Sequence, residues 1–428
     1  MTGDRTTAYA RTFAACLDGP RIIEISRRYG TPVWAYDADR IRAQIDRLRQ
    51  FDVIRYAQKA CSNTHILRLM RAAGVLVDSV SCGEIERALT AGYRPTGPHQ
   101  PIVLTADILD RSTLKRVVDL RVPVNAGSPQ MLEQLGAASP GHPIWIRIDP
   151  GFGHGHSRKT NTGGAHSKHG IWHQHLEASL RLVDRYGLDL VGFHMHIGSG
   201  VDYAHLEQVS GAMVHQVRRS GRDIRAVSAG GGLSVPYGPD QPELDTDKYF
   251  RLWDAARQEI ASDLGHAVRL EIEPGRFLGA GAGILATEVR AHKLMGHNRF
   301  LLVDAGFNDL MPPVLYGSRH AVRLLTPDGT PRSGPPVPTV IAGPLCEAGD
   351  VFTQSEDGEV VHIPLPAAEV GDIVVFYDTG AYGASMSSNY NSRPLIPEVL
   401  VDGNHTRLIR RRQTIQDLLA LETLGAES

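Results

Sequence analysis

The sequence predicts an α/β fold, with a (β/α)8 TIM-like barrel followed by a C-terminal β-rich domain of sandwich or barrel type. From about residue 38 to residue 275, amphipathic helical stretches alternate with short apolar runs, which indicates parallel strands linked by crossover helices. After about residue 280 the apolar segments become shorter and are interrupted by Gly and Pro, which is typical of a β-rich domain. Several of the earlier apolar runs end in polar or glycine-rich sequence, where a barrel carries its active site.

We therefore assign residues 35–280 to the barrel domain, and residues 1–34 and 281–428 to the β-rich domain. Helices are indicated by an apolar stripe of Ile41, Ile45 and Leu48, and by Gly74, which suits a helix C-cap. The predicted barrel strands are Val53–Ala57, Ile102–Thr105, Ile144–Ile148, Leu190–His196, Ala226–Ser228 and Leu270–Glu273. The predicted strands of the β-rich domain include Phe300–Val303, Thr339–Ile341 and Ile373–Tyr377.

The composition favours a globular protein that acts on small molecules. Hydrophobic residues make up 42% of the 428 residues and charged residues 21%, as in ordinary globular domains. Lys and Arg number 45 against 47 Asp and Glu, so no positive excess argues for a nucleic-acid or membrane partner. A small-molecule substrate is therefore expected.

The cysteines and the N-terminus predict a cytoplasmic location. Cys16, Cys61, Cys82 and Cys346 lie far apart, with no CxxC pair for zinc and no dense disulfide pattern. The first residues lack the basic and apolar stretches of a signal peptide, and no apolar run approaches the length of a spanning helix.

Lys59 stands at the end of a predicted strand, immediately before a helix that Ser62 or Asn63 could cap. A lysine there points into the mouth of a barrel, and burial would favour the neutral amine that forms a Schiff base. The alternative is a surface cation, which is common at strand ends.

Two histidines, His194 and His196, lie two residues apart on a predicted strand and therefore on the same face. Such a pair could serve a metal-dependent hydrolase. The glycines and Ser199 that follow suit instead a histidine that stacks on a ring beside a phosphate. Both interpretations remain open at this point.

The segments from Gly230 to Gly232 and from Glu271 to Arg276 suit an anionic, aromatic ligand. Three adjacent glycines let backbone N–H groups approach a phosphate, although a tight loop would look the same. Glu273 could keep a pyridine nitrogen protonated, and Arg276 could meet a phosphate or carboxylate as a fork; an ordinary ion pair is the alternative.

Cys346 is flanked by glycine and by the acidic residues Glu347 and Asp350, so we expect it to be more exposed than a core cysteine. A thiol there could return a proton to a carbanion. The tract from His154 to His175 is rich in histidine, but its Gly, Ser, Thr and Lys content favours a loop, and we predict no metal site.

Taken together and in order, these motifs resemble the diaminopimelate decarboxylases, which are pyridoxal-phosphate (PLP) enzymes with an alanine-racemase-like barrel and a β-domain. The resemblance runs from about Thr31 to Leu419. It is carried by YAQKACSN, DSVSCGEIERAL, GFGHGHSRKTNTGG, HMHIGSGVDYAHLEQV, SAGGGLSVPY, EIEPGRF, VDAGFNDLM, AGPLCEAGDVFT and GAYGASMSSNYNSRPLIPEVL.

The resemblance implies a set of site residues and PLP as the cofactor. Lys59, as the Schiff-base lysine, and Cys346, as the proton donor, would be catalytic. The implied cofactor-binding residues are Lys59, Asp78, His196, Ser199, Gly231, Gly232, Glu273, Gly275, Arg276 and Tyr382. The implied substrate-binding residues are Arg276, Tyr316, Glu347 and Tyr382, with Arg319 as a further candidate.

The resemblance also implies an obligate homodimer, in which Cys346 and Glu347 reach into the partner's site. The implied reaction removes the carboxylate at the D-centre of meso-2,6-diaminopimelate and gives L-lysine.

One position departs from the family pattern. After VDAGFNDLM the family has an arginine that helps to bind the distal carboxylate of the substrate, whereas this sequence has Pro312. Arg319, where close relatives have an aromatic residue, could replace it. Within the enzyme class, the alternative is a diverged decarboxylase acting on D-lysine, D-ornithine or a side-pathway amino acid. Outside it, a protein that binds PLP without catalysis is a further alternative.

Overall fold

The computed structural model describes residues 17–153, 161–196, 198–200, 202–237 and 241–422. Two compact units divide the chain. The described parts of residues 1–42, 236–242 and 279–428 form the first, here the β-rich unit, and residues 43–235 and 243–278 form the second, here the barrel unit.

The secondary structure alternates through the barrel unit and becomes mainly β afterwards. The strands are β1 (Val33–Asp37), β2 (Val53–Ala57), β3 (Leu76–Ser79), β4 (Ile102–Ala106), β5 (Val124–Ala126), β6 (Pro143–Asp149), β7 (Ile171–Trp172), β8 (Asp189–His194), β9 (Ala226–Ser228), β10 (Arg269–Ile272), β11 (Gly283–Met295), β12 (Asn298–Val303), β13 (Val322–Leu325), β14 (Val337–Ala342), β15 (Ile363–Leu365), β16 (Ile373–Phe376), β17 (Glu398–Asp402) and β18 (His405–Arg410). The α-helices are α1 (Gly19–Tyr29), α2 (Ala38–Asp46), α3 (Thr64–Ala72), α4 (Cys82–Thr90), α5 (Arg111–Leu120), α6 (Pro129–Ala138), α7 (Leu176–Tyr186), α8 (Tyr203–Ser220), α9 (Thr246–Leu264), α10 (Arg276–Gly279), α11 (Pro312–Tyr316) and α12 (Ile415–Leu419).

The barrel unit contains a closed parallel sheet. Its strands follow the order β5-β4-β3-β2-β10-β9-β8-β6, and pairing of β5 with β6 closes the ring, while the short β7 adds to β6. The predicted (β/α)8 barrel is therefore confirmed. Because all eight strands run the same way, their carboxyl ends meet on one face, where Lys59 and Glu273 follow β2 and β10.

Local sequence explains where the barrel helices begin. The Asn63 side chain accepts the backbone N–H of His65 and caps α3, as predicted, while Ser81 accepts the N–H of Glu84 and caps α4. Ile66, Leu67 and Met70 form the buried face of α3. The chain leaves that helix through Gly74, whose φ of 79° is a conformation that glycine adopts readily.

The β-rich unit contains a nine-stranded mixed sheet, which confirms the predicted β-rich domain. Seven strands follow the order β15-β14-β12-β11-β1-β17-β18, and β16 pairs with both β11 and β13. The central strand β1 is antiparallel to β11 and parallel to β17. Helix α1 buries Ile22 and Ile25 in one apolar cluster with Val33, Val375 and Val399 of the sheet.

A buried ion pair lies inside the barrel unit. Arg55 of β2 donates from Nε to Oε2 of Glu271 over 2.6 Å, and each of the two residues is only 1% exposed. The same guanidinium donates to the carbonyl of Gln100 over 2.6 Å, and Arg269 donates to the other oxygen of Glu271. Glu271 therefore holds strands together and takes no part in the candidate site.

No helix within the described ranges is long and apolar enough to cross a membrane.

Removal of Arg55 is expected to destabilise the protein strongly. Arg55→Ala should lower the free energy of unfolding by about 3–5 kcal/mol, because it leaves the Glu271 charge buried with a weaker set of partners. The exposed pair Lys115–Asp119 offers a matched control, and Lys115→Ala should cost less than about 1 kcal/mol. Urea titrations of both variants measure the difference; equal losses would contradict the structural role of Arg55.

Candidate active site

Lys59 lies in a 3-10 turn, Gln58–Ala60, directly after β2. The Gln58 amide donates to the hydroxyl of Ser79 over 2.7 Å and anchors this turn to β3. Gln58 and Ala60 are buried, but Lys59 itself is exposed, so the expected burial of this lysine is not found. Its positive charge instead acts on acidic neighbours, because it lowers the pKa of Asp78 against larger opposing effects.

Asp78 is the last residue but one of β3, and its carboxyl group is buried. Burial raises its pKa well above the usual range, and the charge of Glu273 raises it further, while Lys59 and a hydrogen bond with Thr105 act in the opposite direction. Within the described part of the chain, Oδ1 of Asp78 has no hydrogen-bond partner. A buried acceptor of this kind is suited to a donor group from a ligand.

Glu273 follows β10 and is held by two neighbouring strands. Oε2 lies 2.7 Å from Nε2 of His194, and Oε1 accepts the hydroxyl of Ser228 over 3.0 Å. Burial raises the pKa of this carboxyl group, but the charge and hydrogen bond of His194 outweigh it and lower the pKa to about 2. Glu273 is therefore an ionised carboxylate inside the barrel.

Glycines after β9 leave room for a close approach to the backbone. A Cβ atom at Gly231 would lie 2.5 Å from the carbonyl oxygen of Glu273, and one at Gly232 would lie 2.2 Å from that of Gly198. The carbonyl of Gly232 accepts the N–H of Gly200 over 2.9 Å. Two glycine-rich loops thus pack against each other, and side chains are excluded between them.

His196 lies against these glycines. A Cβ atom at Gly232 would be 3.3 Å from Cε1 of the His196 ring. The pKa of His196 lies well below its usual range because the ring is buried and the charge of Arg147 repels a second proton. A neutral imidazole beside glycine backbone can stack on a flat ring. Ser199 lies between Gly198 and Gly200, which both contact Gly232.

Gly275 and Arg276 bring the end of β10 close to the Lys59 turn. A Cβ atom at Gly275 would lie 3.1 Å from the carbonyl oxygen of Ala57 and 3.2 Å from Cβ of Ala60. Arg276 begins α10 and is partly buried. Lys59, Asp78, His196, Ser199, Gly231, Gly232, Glu273, Gly275 and Arg276 therefore all lie at the carboxyl-end face of the barrel unit.

The other predicted site residues belong to the β-rich unit. Tyr382 has a φ of 59°, a conformation that is rare for a bulky residue and common at functional sites. Cys346 and Glu347 occupy an exposed turn after β14, and Tyr316 ends α11. The expected exposure of Cys346 is confirmed.

Pro312 occupies the first turn of α11 and is buried there. A proline at the start of a helix removes an N–H that has no partner within the helix. The backbone at the start of α11 thus accommodates proline without breaking the helix.

The sequence did not reveal the partners of Glu273. The sequence pattern indicates His194 only as half of a histidine pair, and Ser228 only as the last residue of a predicted strand. Both residues lie at the carboxyl ends of their strands, and this position was the feature of the sequence that could have indicated them. Residues 154–160 of the histidine-rich tract lie outside the described residues; in the remainder of the described chain, no three His, Cys, Asp or Glu side chains cluster as metal ligands do.

Substitution of His194 is expected to change how stability depends on pH. In the parent protein, Glu273 has a lowered pKa, so its contribution is complete above about pH 4.5 and is lost as the pH falls towards 2. In His194→Leu, burial without a cation should raise that pKa, and Glu273 should then oppose folding increasingly as the pH rises above about 4. The difference in free energy of unfolding between parent and variant should therefore grow from pH 4 to pH 7.

Urea titrations across this pH range measure the difference. His194→Gln, which retains a hydrogen-bond donor, serves as the control and should show a smaller change than His194→Leu. An identical pH dependence in the parent and His194→Leu would contradict the assigned role of His194.

Comparison with known proteins places this site in a family. The family model for the pyridoxal binding domain of pyridoxal-dependent decarboxylases matches residues 38–280. The diaminopimelate decarboxylase of Streptomyces coelicolor is 73% identical over 406 residues, with 95% of this chain and 92% of that protein covered.

Solved structures agree with this match. A crystal structure of diaminopimelate decarboxylase superimposes with a TM-score of 0.92 at 62% identity, covering 95% of this chain and 96% of the other. The diaminopimelate decarboxylase of Helicobacter pylori, complexed with L-lysine, gives a TM-score of 0.82 at 31% identity over 93% and 98% of the two chains. The chain thus belongs to the diaminopimelate decarboxylases, a family of PLP-dependent carboxy-lyases.

Proposed function

We propose that the protein decarboxylates meso-2,6-diaminopimelate at its D-centre and releases L-lysine and CO₂. The observation that carries the proposal is the buried carboxyl group of Glu273, held by His194 and Ser228 beside the glycine loop at the barrel mouth. The substrate is supported by relatives named diaminopimelate decarboxylase at 73% and 62% identity. They do not favour D-lysine or D-ornithine as the substrate.

The residues of the barrel unit fit PLP. Gly231 and Gly232 have no side chains, so a phosphate could approach their backbone N–H groups. Oδ1 of Asp78, which has no hydrogen-bond partner among the described residues, can accept a hydrogen bond. We assign the phosphate to Ser199, the glycines and Arg276, with Tyr382 from the β-rich unit. Gly275 keeps the chain close to the Lys59 turn. When bound, PLP supplies an electron-withdrawing ring that accepts the electron pair left by departing CO₂.

The protein's own groups divide the remaining tasks. Lys59 would hold the cofactor covalently through its amine, and His196 would lie against its ring. Glu273 would keep the ring nitrogen protonated, because its pKa of about 2 leaves it ionised at neutral pH. Cys346 then delivers a proton to the substrate carbon that has lost its carboxylate.

We further propose that the active enzyme is a homodimer with shared sites. Cys346 and Glu347 are exposed on the β-rich unit, although a lone cysteine is usually buried. A second copy that covers this turn would remove the thiol from water and place it at the partner's cofactor. The cytoplasmic location stays a prediction.

We assign the distal end of the substrate to Tyr316, Glu347 and Arg319. Glu347 is an anion that can hold the distal ammonium group. Among the residues that the structure describes, the exposed Arg319 has neither a hydrogen-bond nor an ion-pair partner. Its guanidinium is thus available for the carboxylate that the missing arginine at position 312 would have bound.

The roles of Lys59 and Cys346 can be tested together by mixing inactive variants. Lys59→Ala should lose the visible absorbance of bound PLP and its trapping by borohydride, and Cys346→Ala should keep both but lose CO₂ release. If the sites are shared, a mixture of refolded variants should regain about a quarter of the parent activity, since half of the dimers carry one intact site.

No regain of activity on mixing would contradict the shared site. Full activity of Cys346→Ala alone would contradict its role as proton donor and would leave a PLP enzyme with another donor. A protein that binds PLP without turnover would release no CO₂ from any amino acid tested.

The assigned substrate can be tested with Arg319→Ala. This variant should raise KM for meso-diaminopimelate at least about tenfold, because a charge-assisted contact is lost. Activity on D-lysine, which has no distal carboxylate, should not change. The exposed Arg299 is the matched control, and Arg299→Ala should leave both substrates unaffected. Faster CO₂ release from D-lysine or D-ornithine than from meso-diaminopimelate by the parent enzyme would contradict the proposed substrate.

A further inference from the structure

The turn that carries Cys346 and Glu347 is closed at its base. The N–H of Gly343 donates to the carbonyl of Asp350 over 2.9 Å, across the turn. The buried carboxylate of Asp350 accepts the N–H of Leu345 over 2.7 Å and that of Phe307 over 2.8 Å. The base of the turn is therefore fixed to the loop after β12, while its tip points away from the core.

Two adjacent residues of another segment contact the tip. Oδ1 of Asn391 accepts the N–H of Cys346 over 2.8 Å. The hydroxyl of Tyr390 donates to Oε2 of Glu347 over a long 3.4 Å. The Tyr390 ring stacks on Phe307 at a centroid distance of 5.5 Å, so its hydroxyl is carried by a supported ring.

The backbone of this segment is held in an unusual shape. Asn391 has a φ of 54° and Ser392 also has a φ of 54°, both in the left-handed region. Asparagine adopts that region more readily than most residues. The N–H of Ser388 donates to the carbonyl of Asn308 over 2.8 Å and anchors the segment to the loop after β12. A strained, anchored segment with two side chains aimed at one turn is expected to hold that turn in place.

We propose that Tyr390 and Asn391 are positioning residues for the two functional side chains of the turn. Asn391 fixes the backbone of Cys346 and so sets where its thiol stands, and Tyr390 fixes the carboxylate of Glu347. The inference rests on the proposed function, because it takes Cys346 as the proton donor and Glu347 as the group for the distal ammonium.

The two contacts serve different steps and should separate kinetically. Misplacing a proton donor slows the step after CO₂ leaves and should lower kcat. Misplacing a carboxylate that binds the distal ammonium weakens substrate binding and should raise KM. A merely structural role of the segment would move both quantities together for either substitution.

The test measures steady-state CO₂ release by the holoenzyme with meso-diaminopimelate. Asn391→Ala should lower kcat about tenfold with KM changed less than about twofold. Tyr390→Phe, which keeps the stacked ring and removes only the hydroxyl, should raise KM about fivefold with kcat nearly unchanged. Asn391→Asp retains the acceptor oxygen and should restore kcat to within about threefold of the parent.

A second measurement does not depend on catalysis. Hydrogen exchange of the Cys346 amide should be faster in Asn391→Ala than in the parent, and close to the parent rate in Asn391→Asp, because only the alanine variant lacks the acceptor. Asn389 lies in the same segment, and its amide donates to the carbonyl of Arg393 and to Gln413. Asn389→Ala is therefore the control for general loosening.

Equal kinetic changes in Asn389→Ala and Asn391→Ala, or a parent-like kcat in Asn391→Ala, would overturn the inference. The same holds if Tyr390→Phe lowers kcat and leaves KM unchanged. Cys346→Ala in the same assay separates this failure from that of the proposed function. A defective Cys346→Ala beside an unaffected Asn391→Ala overturns the positioning alone, whereas a fully active Cys346→Ala overturns both.

Discussion

The buried negative charge of Glu273 is the constraint on which the site depends. Burying an unpaired carboxylate costs several kcal/mol of stability, so the groups that pair with it must lie in the right geometry. They do so because of strand register: His194 pairs with Ser228 across β8 and β9, and Ser228 pairs with Glu271 across β9 and β10. A slip of one residue in either strand would turn His194 or Ser228 to the opposite face. The register of β8, β9 and β10 thus determines which groups surround the Glu273 carboxylate.

In the β-rich unit, polar contacts also hold side chains in place, but there they order an exposed turn. Cys346 and Glu347, to which we assign roles in catalysis and substrate binding, lie on an exposed turn and cannot be fixed by burial. The turn is ordered instead by two hydrogen bonds. The buried Asp350 at its base accepts the N–H of Leu345, and Asn391 accepts the N–H of Cys346. Burial raises the pKa of Asp350, while the two N–H groups that it accepts lower it.

The sequence was sufficient for the architecture because each strand is a local pattern. Val53–Ala57 and Ala226–Ser228 were predicted with the bounds that the structure has. Leu76–Ser79 and Val124–Ala126 were not recognised as strands, because they are short and carry polar residues. The resemblance to a known family supplied the remaining site residues.

Pairings across the fold were beyond the reach of the sequence. His194 and Glu273 are 79 positions apart, and nothing local to either indicates the other. The exposure of Lys59 was likewise missed, because a strand end has the same local sequence whether the barrel covers it or not.

Pro312 is compatible with the helix in which it lies, but it cannot bind a substrate carboxylate. Proline fits the first turn of α11 without loss of a helical hydrogen bond, so stability does not oppose the exchange. The helix then ends at Gly317, with φ at 62°, where a Cβ atom would lie 2.7 Å from the backbone nitrogen of Glu356. The chain is thus forced to turn there, and Arg319 follows two residues later on an exposed loop. Because a guanidinium binds a carboxylate through paired N–H donors, the exposed Arg319 beyond this turn is the group to which we assign the distal carboxylate of the substrate.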